Sequence, residues 1–528
     1  VAVSGALLVA LALLLSLALS TMQSLITQRV GTDHAVHVFL VQRIRRGGFR
    51  LFDRVPDLLN ESHCGALPLY IHWILAHCRI RAVFWSERLL NPAVNTLHVA
   101  LVAMLAAFMA QAMGLPHSFV GLAACLFALT PQFYHALSAR NFGLSARGTG
   151  LALLTAFFLS AYAVGARLEP AFAWPALVVL GWLVWGFSTF AQQALCILSV
   201  LLLLLGRPAP LIGTALGLGL FVALHPRYSL GYLRNTLRFI RAYATELAPI
   251  YILARRPSIW RDLVVDIVRR FATQSTSQAL RYAYENSVLV VVLLNPLVLV
   301  CAAAAIQGAQ LRHGFYGFAL SLALCGVLAA LATSFRRTRF LGEPERYVEA
   351  VTPWATVAGA AFLEQRFGPA SLVALAVLFL CVDLLQLLAS RALVRHLGRA
   401  APSLAEIEHK IEARWGRCAR VCSNNEHFTK LLMQHEWQYA YCLAVGQLYC
   451  GLTVTQAFSR FPVLKREALE HIAQELEINA CLLDRHEFES IFDERPPSLE
   501  SMTVAYESER FRLLFLQWRS AECGTSRA

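Results

Sequence analysis

Eleven apolar runs of near-spanning length decide what this chain can fold into. They lie at 3–19, 95–113, 118–137, 148–166, 171–187, 191–205, 209–224, 286–306, 314–333, 350–363 and 369–390. A bilayer core about 30 Å thick takes roughly 20 helical residues, and inside it each backbone polar group must be bonded within its own segment. Runs repeated at this length predict an all-α polytopic membrane protein with about eleven transmembrane helices. Composition agrees: 57% of the 528 residues are hydrophobic and 15% are charged, where soluble domains carry about 25% charged. The first run could be read as a signal peptide ending at Ala18-Leu19-Ser20. It lacks a basic start and is followed by many further runs, so an uncleaved first span is the expectation.

An odd number of spans puts the two ends of the chain on opposite faces. The long polar segments 21–94, 138–147, 226–285, 335–349 and 391–528 then share one face, and the other keeps short turns such as Arg167-Leu168-Glu169-Pro170. Within 67–77 the apolar stretch is too short to span and begins near Pro68, which predicts an interfacial or re-entrant helix. Two domains are expected. Residues 1–390 form the membrane part, with large loops at 21–94 and 226–285, and 391–528 form a small α/β domain. In the latter, 409–417 and 464–476 have helical periodicity, 478–484 reads as a buried strand, and 502–515 reads as a hairpin turning at 507–510.

The 46 Lys and Arg exceed the 33 Asp and Glu. In a membrane protein such a surplus reflects topology and lipid headgroups, so nucleic acid is not an expected partner and membrane lipids are. The thirteen cysteines form no zinc-like spacing, and no cofactor is expected; a divalent metal is possible but unsupported by ligand spacing, since Asp33 and His37 share a helical face and only His63 and His72 offer a third ligand. Neither a Walker-type phosphate loop nor a Ser-x-x-Lys or Gly-x-Ser-x-Gly nucleophile occurs.

Candidate chemistry gathers in the polar segments. Asp33 stands just past the first span in Gly31-Thr32-Asp33-His34-Ala35-Val36-His37, and a carboxylate there can take a proton or steady a developing positive charge. Its plain alternative is a solvated acid at a membrane edge. His34 and His37 flank it as part of a binding surface or as ordinary interfacial histidines. Arg43 and Arg46 belong to a basic run that suits either a carrier phosphate or headgroup anchoring. Arg336, Arg339, Glu343, Arg346 and Tyr347 follow a span directly, and mixing acids among arginines around Gly342 and Pro344 suits a shaped anion site better than an anchor. Arg140 and Arg147 sit in the short loop 138–147.

Together these residues resemble the GT-C superfamily of polyprenyl-linked membrane glycosyltransferases, which includes protein O-mannosyltransferases and aminoarabinose transferases. In that superfamily the first external loop bears a catalytic or sugar-positioning acid, matched here by Asp33. A juxtamembrane Pro-Leu-aromatic segment is matched by Leu67-Pro68-Leu69-Tyr70, and an Arg-Tyr loop that holds the lipid phosphate is matched by Arg339 to Tyr347. Loop 138–147 carries no acid, so the resemblance supplies one carboxylate.

The resemblance implies a glycosyltransferase, inverting, that moves a sugar from a polyprenyl phosphate carrier to a lipid, glycan or protein acceptor at the outer face of the cytoplasmic membrane. The polar loops and the C-terminal domain would then lie outside. Positive-inside counting favours the reverse, since 226–285 holds ten Arg against four acids. The outside placement requires those arginines to be ligands for phosphate. A lipid-linked glycan transporter is the alternative function, and it would need ionisable groups along a mid-membrane path, where Asp383 is the main acid. A membrane scaffold whose tail binds a partner is the third.

Overall fold

The computed structural model describes residues 4–27, 32–52, 67–135, 145–247, 294–307, 314–335, 338–397, 401–433, 435–441, 450–485 and 498–519, together with 55, 57–59, 250, 269 and 272. Each of the eleven apolar runs contains a helix among the described residues, although the run 118–137 is helical only to Ala128 and then breaks into a 3-10 turn at Pro131–Phe133. Helix α1 (Gly5–Ile26) is followed by α2 (Thr32–Arg46) and a short α3 (Tyr70–Ala76), then α4 (Ile80–Met113), α5 (His117–Ala128), α6 (Ala146–Gly165), α7 (Pro170–Phe187), α8 (Thr189–Leu204) and α9 (Ala209–Leu224). A polar helix α10 (Pro226–Ala242) precedes α11 (Pro296–Ile306), α12 (Gly314–Thr333), α13 (Pro344–Phe367) and α14 (Pro369–Leu397). Six helices are long and apolar enough to cross a membrane among the described residues, and four shorter apolar ones pack with them. This is a multi-pass membrane protein.

Small residues bring the helices together. A Cβ added at Gly217 would lie 2.6 Å from the Gly181 carbonyl carbon, so α7 and α9 touch backbone to backbone and tolerate nothing larger there. Apolar faces that look outward, such as Leu204 and Leu385, stay exposed because lipid is as good a solvent for them as a protein core.

The C-terminal part begins with α15 (Ala401–Trp415) and β1 (Arg420–Ser423), followed by α16 (Glu426–Leu432) and β2 (Gln438–Tyr439). A small ribbon, β3 (Phe458–Arg460) and β4 (Val463–Leu464), leads to α17 (Arg466–Glu475), β5 (Ala480–Asp484), β6 (Leu499–Glu507) and β7 (Phe511–Trp518). The five-stranded sheet has the order β2-β1-β5-β7-β6, with β1 parallel to both β2 and β5 and the last two pairings antiparallel. All five residues of β5 are buried, as a strand covered on both faces requires. The 502–515 hairpin and the buried strand at 478–484 appear where periodicity places them. The short strands β1 and β2 carry too few residues for a period to register.

The first loop fastens this sheet to the bundle. Residues 57–59 run beside β2, where Leu59 N donates to Tyr439 O at 2.8 Å and Tyr439 N donates to Asp57 O at 3.0 Å. Arg43 on α2 reaches Asp57 at 2.6 Å and donates to the Trp437 carbonyl at 3.1 Å. Arg46 pairs with Glu436, which Arg417 also meets at 3.0 Å.

Candidate functional site

Described parts of the 138–147 and 335–349 segments meet around Phe190. The second half of the site is built from residues far apart in sequence. Arg147, at the start of α6, pairs with Glu349 on α13; both are buried. The Arg147 guanidinium stands 5.4 Å from the Phe190 ring centroid, and that of Arg346 stands 3.9 Å from the same ring. Two cations therefore meet one aromatic ring, whose quadrupole favours positive charge over its faces. Glu343 holds the Arg346 Nε at 3.0 Å, and the Tyr347 hydroxyl donates to Leu341 O, closing the loop around Gly342. Gly342 has φ +120°, a conformation open to glycine alone at low cost, so the turn between the arginine segment and α13 depends on it.

An amide network backs these charges. Asn295 donates to Gln132 Oε1 at 2.9 Å and to Thr352 Oγ1 at 2.7 Å, while Gln132 donates to the Glu345 carbonyl at 3.0 Å. Buried amides must be fully bonded to be tolerated, and this set ties the ends of α5, α11 and α13 into a fixed frame. Sequence reading missed Gln132, Phe190, Asn295 and Glu349. A signal existed for two of them: Gln132 and Asn295 are lone amides next to Pro131 and Pro296 at the ends of apolar runs.

The first half of the site surrounds α2 and α3. Asp33 lies in the first turn of α2, where a helix N-terminus favours a negative charge; its side chain is outside the described residues. His34 is half-buried on the same helix. His37 Nδ1 and His72 Nε2 are 2.7 Å apart, with their rings stacked at 4.9 Å. Tyr70 accepts a hydrogen bond from Trp182 Nε1 at 2.9 Å and meets Phe187 edge-on. Burial pushes its phenol up to about 12, so it stays protonated. A Cβ at Gly186 would sit 2.0 Å from the Tyr70 ring, so Gly186 makes the space for it. Leu69 N donates to the Tyr228 hydroxyl at 2.8 Å, which seats α3 against α10.

The structure thus sorts the expected site residues into groups. His34, His37 and Tyr70 belong to α2 and α3, while Arg147, Glu343, Arg346 and Tyr347 gather about Phe190. Arg43 and Arg46 go to the C-terminal sheet instead. Arg43 is 1% exposed with its charge met by Asp57, so it fastens α2 and is turned away from the cluster at Phe190 to the sheet. Arg140 and Arg336 lie outside the described residues, as does the side chain of Arg339, whose backbone forms a 3-10 turn. Asp383 is enclosed in α14, and neither of its oxygens has a hydrogen-bond partner among the described residues. No three His, Cys, Asp or Glu side chains converge as a metal site among the described residues.

The histidine pair gives a pH-dependent stability. Burial first, and the neighbouring His37 second, hold His72 well below the usual imidazole range. Below a pH of about 6.5 the unfolded chain takes up a proton that folded His72 refuses. Stability present above that pH is therefore lost as the pH falls, by up to about 1.4 kcal/mol per pH unit. Melting of the detergent-solubilised protein between about pH 7.5 and 5.5 should drop more for the parent than for His72→Gln. Equal drops in the two would show that His72 is not the group responsible.

No protein-family model matches this sequence, and no curated protein matches it. Solved structures do. ArnT from Cupriavidus metallidurans, solved with undecaprenyl phosphate bound, superposes with a TM-score of 0.51 at 13% identity, covering 96% of this chain and 97% of that one. An oligosaccharyltransferase from Archaeoglobus fulgidus, solved with zinc and sulfate, gives a TM-score of 0.45 at 13% identity over 90% of this chain and 68% of that one. The chain thus shares its fold with ArnT over nearly the whole length of both.

Proposed function

We propose that this protein is an integral-membrane glycosyltransferase that takes a sugar from a polyprenyl phosphate carrier and passes it to a lipid, glycan or protein acceptor. The observation that carries this reading is the convergence of Arg147 and Arg346 on Phe190. Undecaprenyl phosphate bound to ArnT, a protein of the same fold, supports the carrier class. Asp33 accepts the proton of the acceptor hydroxyl as its oxygen bonds to the anomeric carbon. The bond from that carbon to the carrier phosphate oxygen breaks on the opposite side, which inverts the sugar. The departing phosphate is met by Arg346, with Arg339 in the 3-10 turn that precedes it, and Glu343 keeps the Arg346 fork in place. Arg147, already matched by Glu349, shapes the same surface and contributes field more than a free contact. His34, His37 and Tyr70 border the acceptor side.

In this reading residues 1–390 are the catalytic membrane domain, and 391–528 form a domain outside the cytoplasm, both in the cytoplasmic membrane of a cell with a polyprenyl carrier. Divalent metal is not required, since one carboxylate and the arginines supply both the base and the charge on the leaving group.

Arg346→Gln removes one charge-assisted contact, worth roughly 1.5–3 kcal/mol, so donor binding should weaken about ten- to a hundredfold. Titrating a prenyl phosphate sugar against parent and variant reads this directly. Unchanged affinity with altered membrane orientation would mean that the arginines serve topology and that the carrier binds elsewhere.

A further inference from the structure

Helix α10 is a basic element whose charges the proposed site does not use. It contains Arg227, Arg234, Arg238 and Arg241 and no acidic residue. All four are exposed, and among the described residues none of them makes an ion pair. At about 100° per residue they fall within roughly 60° of one another around the helix axis. Leu230 and Leu237 border that stripe directly and are 57% and 69% exposed.

The opposite side is committed to the bundle. Tyr228 receives the Leu69 N–H, Tyr232 donates to Gln192 Oε1 at 2.6 Å, and Asn235 is buried. The helix thus has one polar, aromatic inner face and an outer face that is part basic and part apolar. A helix pointing into water has no use for two exposed leucines beside four unpaired arginines. A helix lying in a bilayer interface does: leucines enter the acyl boundary and guanidinium groups lie among phosphates.

Its position fits that placement. Pro226 opens α10 two residues after the apolar α9 ends at Leu224, so it starts at the membrane boundary. Its inner face keeps it level with α3. At its far end the chain turns through 243–247, where Leu247 enters the core of the C-terminal domain with Cys422 and Val454. The helix therefore runs from a span to the sheet domain along the rim of the bundle.

We propose that the outer face of α10 binds the anionic phospholipid headgroups of the adjacent leaflet, and that this contact seats the helix in the interface. Charge complementarity selects anionic lipid, and the leucine edge selects a membrane over a soluble polyanion. The proposal does not depend on the transferase reading and is tested without measuring transfer.

An environment-sensitive fluorescent amino acid is placed at position 237 of the full chain, and the protein is reconstituted in vesicles with brominated acyl chains. One set is phosphatidylcholine alone; the other is rich in phosphatidylglycerol. Quenching is expected to be stronger in the phosphatidylglycerol vesicles and to weaken there with added salt, because headgroup attraction is screened. Each Arg→Gln change at 227, 234, 238 or 241 should shift the seated population by about fivefold toward the water-exposed state. The fourfold Arg→Lys variant keeps charge and should keep the lipid preference, which guards against a misfolded Gln series. An unquenched probe in both vesicle types would overturn the proposal. Equal, salt-independent quenching in both would also overturn it, because apolar contact alone would then seat the helix.

Discussion

Asp33→Asn is expected to lower sugar transfer by roughly a hundred- to ten-thousandfold, the usual worth of a positioned base, while the protein still folds and inserts. The amide keeps the shape of the carboxylate and removes both its charge and its basicity. Asp33 sits in the first turn of α2, which is held from below by the His37–His72 contact and from above by the Arg43–Asp57 pair, so the helix itself does not depend on residue 33. Turnover of a prenyl phosphate sugar should collapse, and donor binding by the Asn variant should remain within a few-fold of the parent. Near-parental turnover would remove Asp33 from the reaction.

Breaking the Arg147–Glu349 pair from one side is the change with the largest expected effect on stability. Glu349→Gln leaves a guanidinium that is 8% exposed without its counter-charge, and such a loss typically costs about 3–5 kcal/mol. Replacing both partners, Arg147→Met with Glu349→Leu, removes the stranded charge along with the pair and should recover most of the melting temperature. The double variant separates fold from function. If Arg147 helps form the carrier surface, donor affinity stays weak after stability returns. Recovery of both would restrict the pair to holding α6 against α13. A double variant as unstable as Glu349→Gln would show that the cost lies in packing around the site and not in an unpaired charge.

Much of the architecture was legible because helices and strands leave local periodicities. Each apolar run registers its own desolvation, so the runs could be marked one at a time, although six helices among the described residues, not eleven, are long and apolar enough to cross a membrane; Pro68 with a short apolar tail marks α3. The buried strand β5 and the β6–β7 hairpin follow from the same local rule. The cluster of arginines and acids ahead of α13 was equally visible as a composition that no simple anchor needs.

The partner of each charge was not legible. Arg43 and Arg346 look alike in sequence, both arginines in juxtamembrane segments, yet one is enclosed by Asp57 and Trp437 and the other stands over Phe190. Arg147 and Glu349 are 202 residues apart, and nothing near either one names the other. Likewise β2 is two residues long, and the first loop continues the sheet beside it through backbone groups, which carry no side-chain pattern at all.

Local periodicity was enough to mark a bundle of membrane helices, a small mixed region after it and a set of arginine-rich polar segments, because burial of apolar surface is settled segment by segment. Which arginines hold the first loop to the sheet, which meet at Phe190 and which face outward on α10 follows from packing in three dimensions. Electrostatic pairing depends on distance in space, and helix packing fixes those distances through contacts such as Gly181 against Gly217 that lie far from the charges they bring together.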